Sequence, residues 1–119
     1  MTHAYRDPAT VVHEFHAHVY FAPETRESAV ALREHLSGLA GGRLVVHSVA
    51  DGSRGPHVTR MFGVDIAIAD LPEVLGFLML NHGPHSVLVH PVTDSELMDH
   101  THHALWLGVP QPLDLSRLG

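Results

Sequence analysis

Glu14-Phe15-His16-Ala17-His18-Val19-Tyr20-Phe21 alternates between an apolar set and a polar, aromatic set. A strand turns successive side chains to opposite faces, so the alternation predicts a β-strand over 14–21. Phe15, Ala17, Val19 and Phe21 form the face that meets the core. Glu14, His16, His18 and Tyr20 form the other. That second face is unlike an ordinary solvated one, because every member offers a hydrogen-bonding atom and two are imidazoles.

Outward from this strand, residues 23–39 read as a helix with Ala29, Leu32, Leu36 and Leu39 in one apolar stripe. Gly38 or Gly41-Gly42 ends it. Residues 43–49 read as a second strand. Residues 50–59 carry Asp51-Gly52 and Gly55-Pro56, and so form a loop that delivers His57. A third strand is expected over 61–68, with Phe62, Val64, Ile66 and Ile68 on one face. Asp70-Leu71-Pro72-Glu73 has the pattern of a capping box, opening a helix with Val74, Phe77 and Leu78 inward and Gly83 at its close. A fourth strand follows over 86–90, with Pro91 as its stop. Thr93-Asp94-Ser95-Glu96 is a second capping-box pattern for a short helix to about His100, and 104–108 is an added strand. Residues 1–12 read as a loose arm.

The order is β-α-β-β-α-β with a C-terminal extension, one domain over residues 1–119. It fits a ferredoxin-like α+β sandwich, two helices on one face of an antiparallel sheet. There the first strand is central and lies beside the fourth, which brings His16 and His18 toward His90. The sheet face away from the helices needs a cover, and a second subunit can supply one.

Composition narrows the chemistry. Apolar residues make up 45% and charged residues 17%, the balance of a packed globule. The formal charge is −6, with seven arginines and no lysine, which disfavours nucleic acid or an anionic membrane as partner. No apolar run is long enough for a membrane span or a signal core, so a cytoplasmic protein is expected. Without cysteine there is no disulfide, no thiolate metal site and no cysteine nucleophile. Thirteen histidines remain as the chain's main chemical resource.

His16 and His18 point the same way from Cα atoms about 6.5–7 Å apart, a reach that suits two ligands of one cation. Two imidazoles hydrogen-bonded on a half-exposed sheet are the alternative. With His90 they would make a facial three-histidine set that leaves metal positions open for substrate and dioxygen. Glu14 and Asp65 have suitable facing but read as surface or supporting groups. His57 sits on a glycine-proline loop, where functional groups concentrate. Among His100, His102 and His103, at least one must simply face solvent. Asp99-His100 is either an orienting carboxylate–imidazole pair or a helix-end pair. Trp106 reads as core. Phosphate-binding glycine loops, a dinucleotide fingerprint and G-x-S-x-G are all absent from the sequence.

The chain resembles the DOPA 4,5-dioxygenase family in H-A-H-V-Y-F at 16–21, T-R-E-S-A at 25–29, G-P-H at 55–57, L-M-L-N at 78–81, V-L-V-H-P at 87–91, and D-H with A-L-W-L-G within 99–108. It departs at Val58, where the family usually has proline, and at Thr93-Asp94-Ser95, where T-G-D is frequent. The resemblance implies a ferredoxin-like, dimeric α+β barrel. It further implies extradiol cleavage of L-DOPA or a related catechol by dioxygen at one non-haem iron(II), with zinc or another divalent metal as a substitute in isolated protein. His16, His18, His57 and His90 match its histidine motifs. On this reading His16, His18 and His90 are the expected metal ligands. His57 is a fourth ligand or the base that takes a catechol proton, and His100 is a supporting catalytic group. The partners are a small catechol and O2, in a homodimer. A metal- or ligand-binding module without oxygenase activity is the alternative.

Overall fold

The computed structural model describes residues 4–118. Five strands form one antiparallel sheet: β1 (Glu14–Tyr20), β2 (Val45–Val46), β3 (Met61–Ile66), β4 (Val87–Val92) and β5 (Leu105–Leu107). Their order is β2-β3-β1-β4-β5. The strand from 14 is therefore central and lies beside the fourth, as its sequence position predicted. Among the described residues the α-helices are α1 (Pro8–Val11), α2 (Arg26–Ser37), α3 (Leu71–Asn81) and α4 (Glu96–Asp99).

The core lies between one sheet face and the two long helices. Ala17 and Val19 of β1, Phe62, Val64 and Ile66 of β3, and Val87 and Val89 of β4 pack against Ala29, Leu32 and Leu36 of α2 and Val74 and Leu78 of α3. Burial of these side chains, worth about 1.5–3 kcal/mol each for the larger ones, fixes which face of β1 looks inward. A one-residue slip would put the histidines into the apolar layer, so the register that builds the core also builds the other face.

Several local expectations are corrected. The arm contains α1, because Asp7 accepts from Ala9 N–H at 3.0 Å and Pro8 sits in the first turn. The second strand shrinks to two residues: Leu44 turns into the core, while Arg33 ties off the carbonyls of Val46 and His47 at this sheet edge. The chain leaves the sheet after Ile66, so Ile68 falls in a 3-10 turn and is half exposed. Neither capping box forms as the sequence suggested. Asp70 turns to Arg43 (2.6 Å) and Glu73 accepts from Ala40 N–H (2.9 Å), so both carboxylates serve tertiary ties instead. The cap of α4 is Ser95, which accepts from Met98 N–H, while Thr93 binds Asp99.

Pro91 does not stop β4, which runs to Val92. Strand β5 pairs only with Val87–Val89, so at Pro91 no ladder on that side needs an N–H. Trp106 is not in the main core. It lies opposite Leu88 and stacks on Tyr20 with ring centroids 5.6 Å apart, within a smaller cluster on the far side of the sheet.

Candidate active site

The histidine face is built by register. Across β1 and its neighbours, His16 lies between Asp65 and His90, and His18 lies between Gly63 and Leu88. Gly63 has no side chain to cover its neighbour: a Cβ there would stand 3.5 Å from His18 Nδ1. His57 arrives from the 50–59 loop, pinned by bridges to Arg54 and Leu113 and by Asp114 N–H on Pro56 O at 2.7 Å. His100 caps the end of α4. The ring centroids of His18 and His57 are 4.1 Å apart, and those of His90 and His100 are 4.3 Å apart.

Ligand atoms of His16, His18 and His90 fall within 4.8 Å of one another, as do those of His18, His57 and His100. The structure thus gathers all five histidines singled out in the sequence around His18. A third such group, Glu14, His16 and Asp65, lies beside them. His102 is exposed and takes no part. Asp99 does not orient His100. It is buried and accepts from Thr93 N–H (2.8 Å), Thr93 Oγ1 (2.7 Å) and His103 Nδ1 (2.9 Å). Burial alone would raise its carboxyl, but these hydrogen bonds win and hold it below the usual carboxylate range.

The hydrogen bonds assign the rings. His90 Nδ1–H donates to Pro91 O at 2.8 Å and His100 Nδ1–H donates to Glu96 O at 2.7 Å, so each presents Nε2 as a lone pair. His16 Nε2 lies 3.2 Å from both Glu14 Oε1 and Asp65 Oδ1; donating there leaves its Nδ1 free. Such outer partners are what orient metal-binding imidazoles. His18 as a residue is only half-buried, yet its Nδ1 is sealed from solvent and without a partner among the described residues. Its Nε2 lies 3.1 Å from His90 Nε2. Two ring nitrogens at that distance share one proton or face one cation. Three nitrogen donors, two of them with oriented outer partners, form a donor set that fits a divalent transition metal.

Burial holds His18, His57 and His90 neutral. It pushes His57 and His90 down to about 4 and His18 well below the ordinary histidine value, and the neighbouring imidazoles add to the effect. Alongside is a cavity of about 300 Å³, lined by His16, His18, His47, Arg54, His57 and Asp65 among others. Sequence reasoning passed over two contributors. Tyr20 hydrogen-bonds His57 Nδ1 at 2.7 Å, and its signal was available, since it shares the face of His16 and His18 at the next alternate position. Gly63 had no signal until the register was known.

A histidine cluster beside a small cavity, on the sheet face away from α2 and α3, is a donor set that could hold a metal ion. The chain belongs to the Dopa 4,5-dioxygenase family, whose profile matches residues 15–117. It is 30% identical to a DOPA 4,5-dioxygenase of Amanita muscaria over 117 residues, covering 90% of this chain and 50% of that protein. It is 35% identical to an uncharacterized 21.2 kDa protein of Botryotinia fuckeliana, covering 86% of this chain and 61% of that one. The chain therefore spans about half to three-fifths of the length of these relatives. The crystal structure of a "putative dioxygenase" from Nostoc punctiforme superposes with a TM-score of 0.89 at 32% identity, covering 95% of this chain and 96% of that one.

Proposed function

We propose that the chain is an extradiol ring-cleaving dioxygenase, a cytoplasmic homodimer on a ferredoxin-like fold, acting on L-DOPA or a related catechol with O2 at one non-haem iron(II). The observation that supports it most is the convergence of His16, His18 and His90 beside a cavity of about 300 Å³, a size suited to a single-ring substrate. Iron(II) held there by His16, His18 and His90 supplies Lewis acidity and one-electron chemistry toward dioxygen.

The chain's own groups do the rest. Gly63 leaves the floor beside His18 open for the catechol ring. The Gly55-Pro56-His57 loop and Asp65 wall the cavity and fix the ring's approach. His57 and His100 stand beside the ligand triad and handle the catechol protons. His57 stays neutral down to about pH 4 because it is buried, so it meets substrate uncharged at any working pH. No helix among the described residues is long and apolar enough to cross a membrane.

The test is anaerobic reconstitution with iron(II), then oxygen uptake against a catechol panel that includes L-DOPA. One iron per chain and catechol-dependent uptake are expected. Stoichiometric iron without uptake would leave only a metal-binding module, and absence of stoichiometric metal would refute the site.

A further inference from the structure

We infer that Tyr20 is a positioning residue that locks His57 as a hydrogen-bond donor toward the cavity, so that His57 is neither a metal ligand nor the group that accepts the catechol proton. The inference deepens the dioxygenase reading and rests on it for the substrate, but not for the state of the ring.

Tyr20 is buried at 2% exposure, and its hydroxyl has one hydrogen-bond partner among the described residues, His57 Nδ1 at 2.7 Å. A phenol has one proton to donate. With no other acceptor given to it, the Tyr20 O–H donates to His57 Nδ1. A neutral imidazole that accepts at Nδ1 carries its proton on Nε2. His57 lines the cavity, and Nε2 is the nitrogen it has left to present there.

The opposite arrangement has a cost the site does not offset. Ligation through Nε2 requires Nδ1–H, which would aim a proton at the Tyr20 hydroxyl and strip that hydroxyl's own proton of its acceptor. His90 and His100 are built the other way: each donates Nδ1–H to a backbone carbonyl and presents a bare Nε2. Outer partners of opposite polarity thus sort the rings. His57 donates to an oxygen of the bound catechol as negative charge develops on it, and His100 is left as the acceptor of the catechol proton. Of the two overlapping triads, the sorting selects His16, His18 and His90 over His18, His57 and His100. Tyr20 is held for this task by its stack on Trp106.

The test uses the full chain with nitrogen-15 histidine and two-bond proton–nitrogen correlation spectra, the His57 signals being assigned by their loss in His57→Gln. Wild-type His57 is expected in the Nε2–H form. Tyr20→Phe keeps the ring and deletes only the hydroxyl, and is expected to move His57 to a mixture of tautomers or to Nδ1–H. One equivalent of zinc should shift His16, His18 and His90 and leave the His57 Nε2–H in place. In iron-loaded protein, Tyr20→Phe should keep full iron and lower catechol-dependent oxygen uptake about 10–100-fold, the usual worth of an orienting partner. An Nδ1–H form in the wild type, an unchanged tautomer in Tyr20→Phe, or zinc ligation through His57 Nε2 would each overturn the inference. Lack of oxygen uptake with every catechol would instead overturn the dioxygenase reading, while the spectra still decide the role of Tyr20.

Discussion

At the scale of single residues, His18 is where the structure concentrates its demands. It belongs to both histidine triads, its Nδ1 is sealed without a partner, and its Nε2 lies 3.1 Å from that of His90. Burial and four neighbouring imidazoles all oppose its protonation. Such a ring is stabilised by a cation between it and its neighbours, which predicts that His18→Ala lowers iron affinity and oxygen uptake together, with added iron restoring part of the rate. His57→Ala is the contrasting variant. It should keep stoichiometric iron while uptake falls about 10²–10³-fold, the usual worth of one hydrogen-bond donor to a developing negative charge. Bound iron and initial rate, measured on both proteins, separate the roles: a His18→Ala protein with full iron and full rate would show the site to be misplaced. The pair His16 and His18 was legible in the sequence because a strand's period of two is fixed by covalent geometry. The donor or acceptor character of each ring was not, because it depends on Tyr20, Pro91 and Glu96, which only the folded chain brings to the correct nitrogen.

Elements carry these residues to one place, and the shortest does so through a buried carboxylate. Helix α4 is a single turn, too short to hold itself. Asp99, at 2% exposure, binds Thr93 twice and His103 once, and so ties the 93–103 segment to the end of β4. Removing it leaves half-buried donors of Thr93 and His103 unpaired, together costing about 1–3 kcal/mol. Asp99→Ala is therefore expected to lower stability by about that much in chemical denaturation and to slow turnover by releasing His100, while iron stays bound through β1 and β4. Loss of iron in this variant would show that the 93–103 segment supports the ligands as well. Strands with clean alternation and helices with an apolar stripe were readable in advance, since their own side chains decide them. The misreadings share one cause. Asp70, Glu73 and Thr93 looked like caps by spacing, but each found a partner far away in sequence or in the next turn. Pro91 looked like a stop, yet β5 ends before reaching it. Local pattern predicts local use, and tertiary partners overrule it.

The whole molecule is a sheet with two unlike faces. One is sealed by α2 and α3; the other carries the histidines, the cluster of Tyr20, Ala50, Met61 and Leu88 and, among the described residues, no long helix. We expect a second copy over that open face, giving a sedimentation mass near twice 13.0 kDa; a monomer mass independent of concentration would exclude it. The same face ties folding to protons. His57 and His90 are buried, and their folded values near 4 lie below the 6.5 of an unfolded histidine. Above about pH 6.5 both rings are neutral in either state and impose no cost. Between about 6.5 and 4 the unfolded chain binds protons that the folded chain refuses, so stability falls as pH falls. Below about 4 the folded rings are protonated too, and this contribution is fully lost. Asp51, Asp70 and Asp99, held below their usual range, lose their contributions only at lower pH, so the two sets separate along the axis. A metal on these nitrogens would stabilise by mass action, a gain that protons remove only as the folded rings are themselves protonated, near pH 4. Denaturation midpoints of metal-free and metal-loaded protein should therefore decline together below about pH 6.5 with their separation kept, and converge only as pH approaches about 4. Replacing His57 with Gln, which removes one titrating ring, should flatten the metal-free decline. A metal-free midpoint that stays level from pH 7.5 to 4.5 would mean that the buried histidines titrate as they do in water, and that their burial does not shield them as the structure describes.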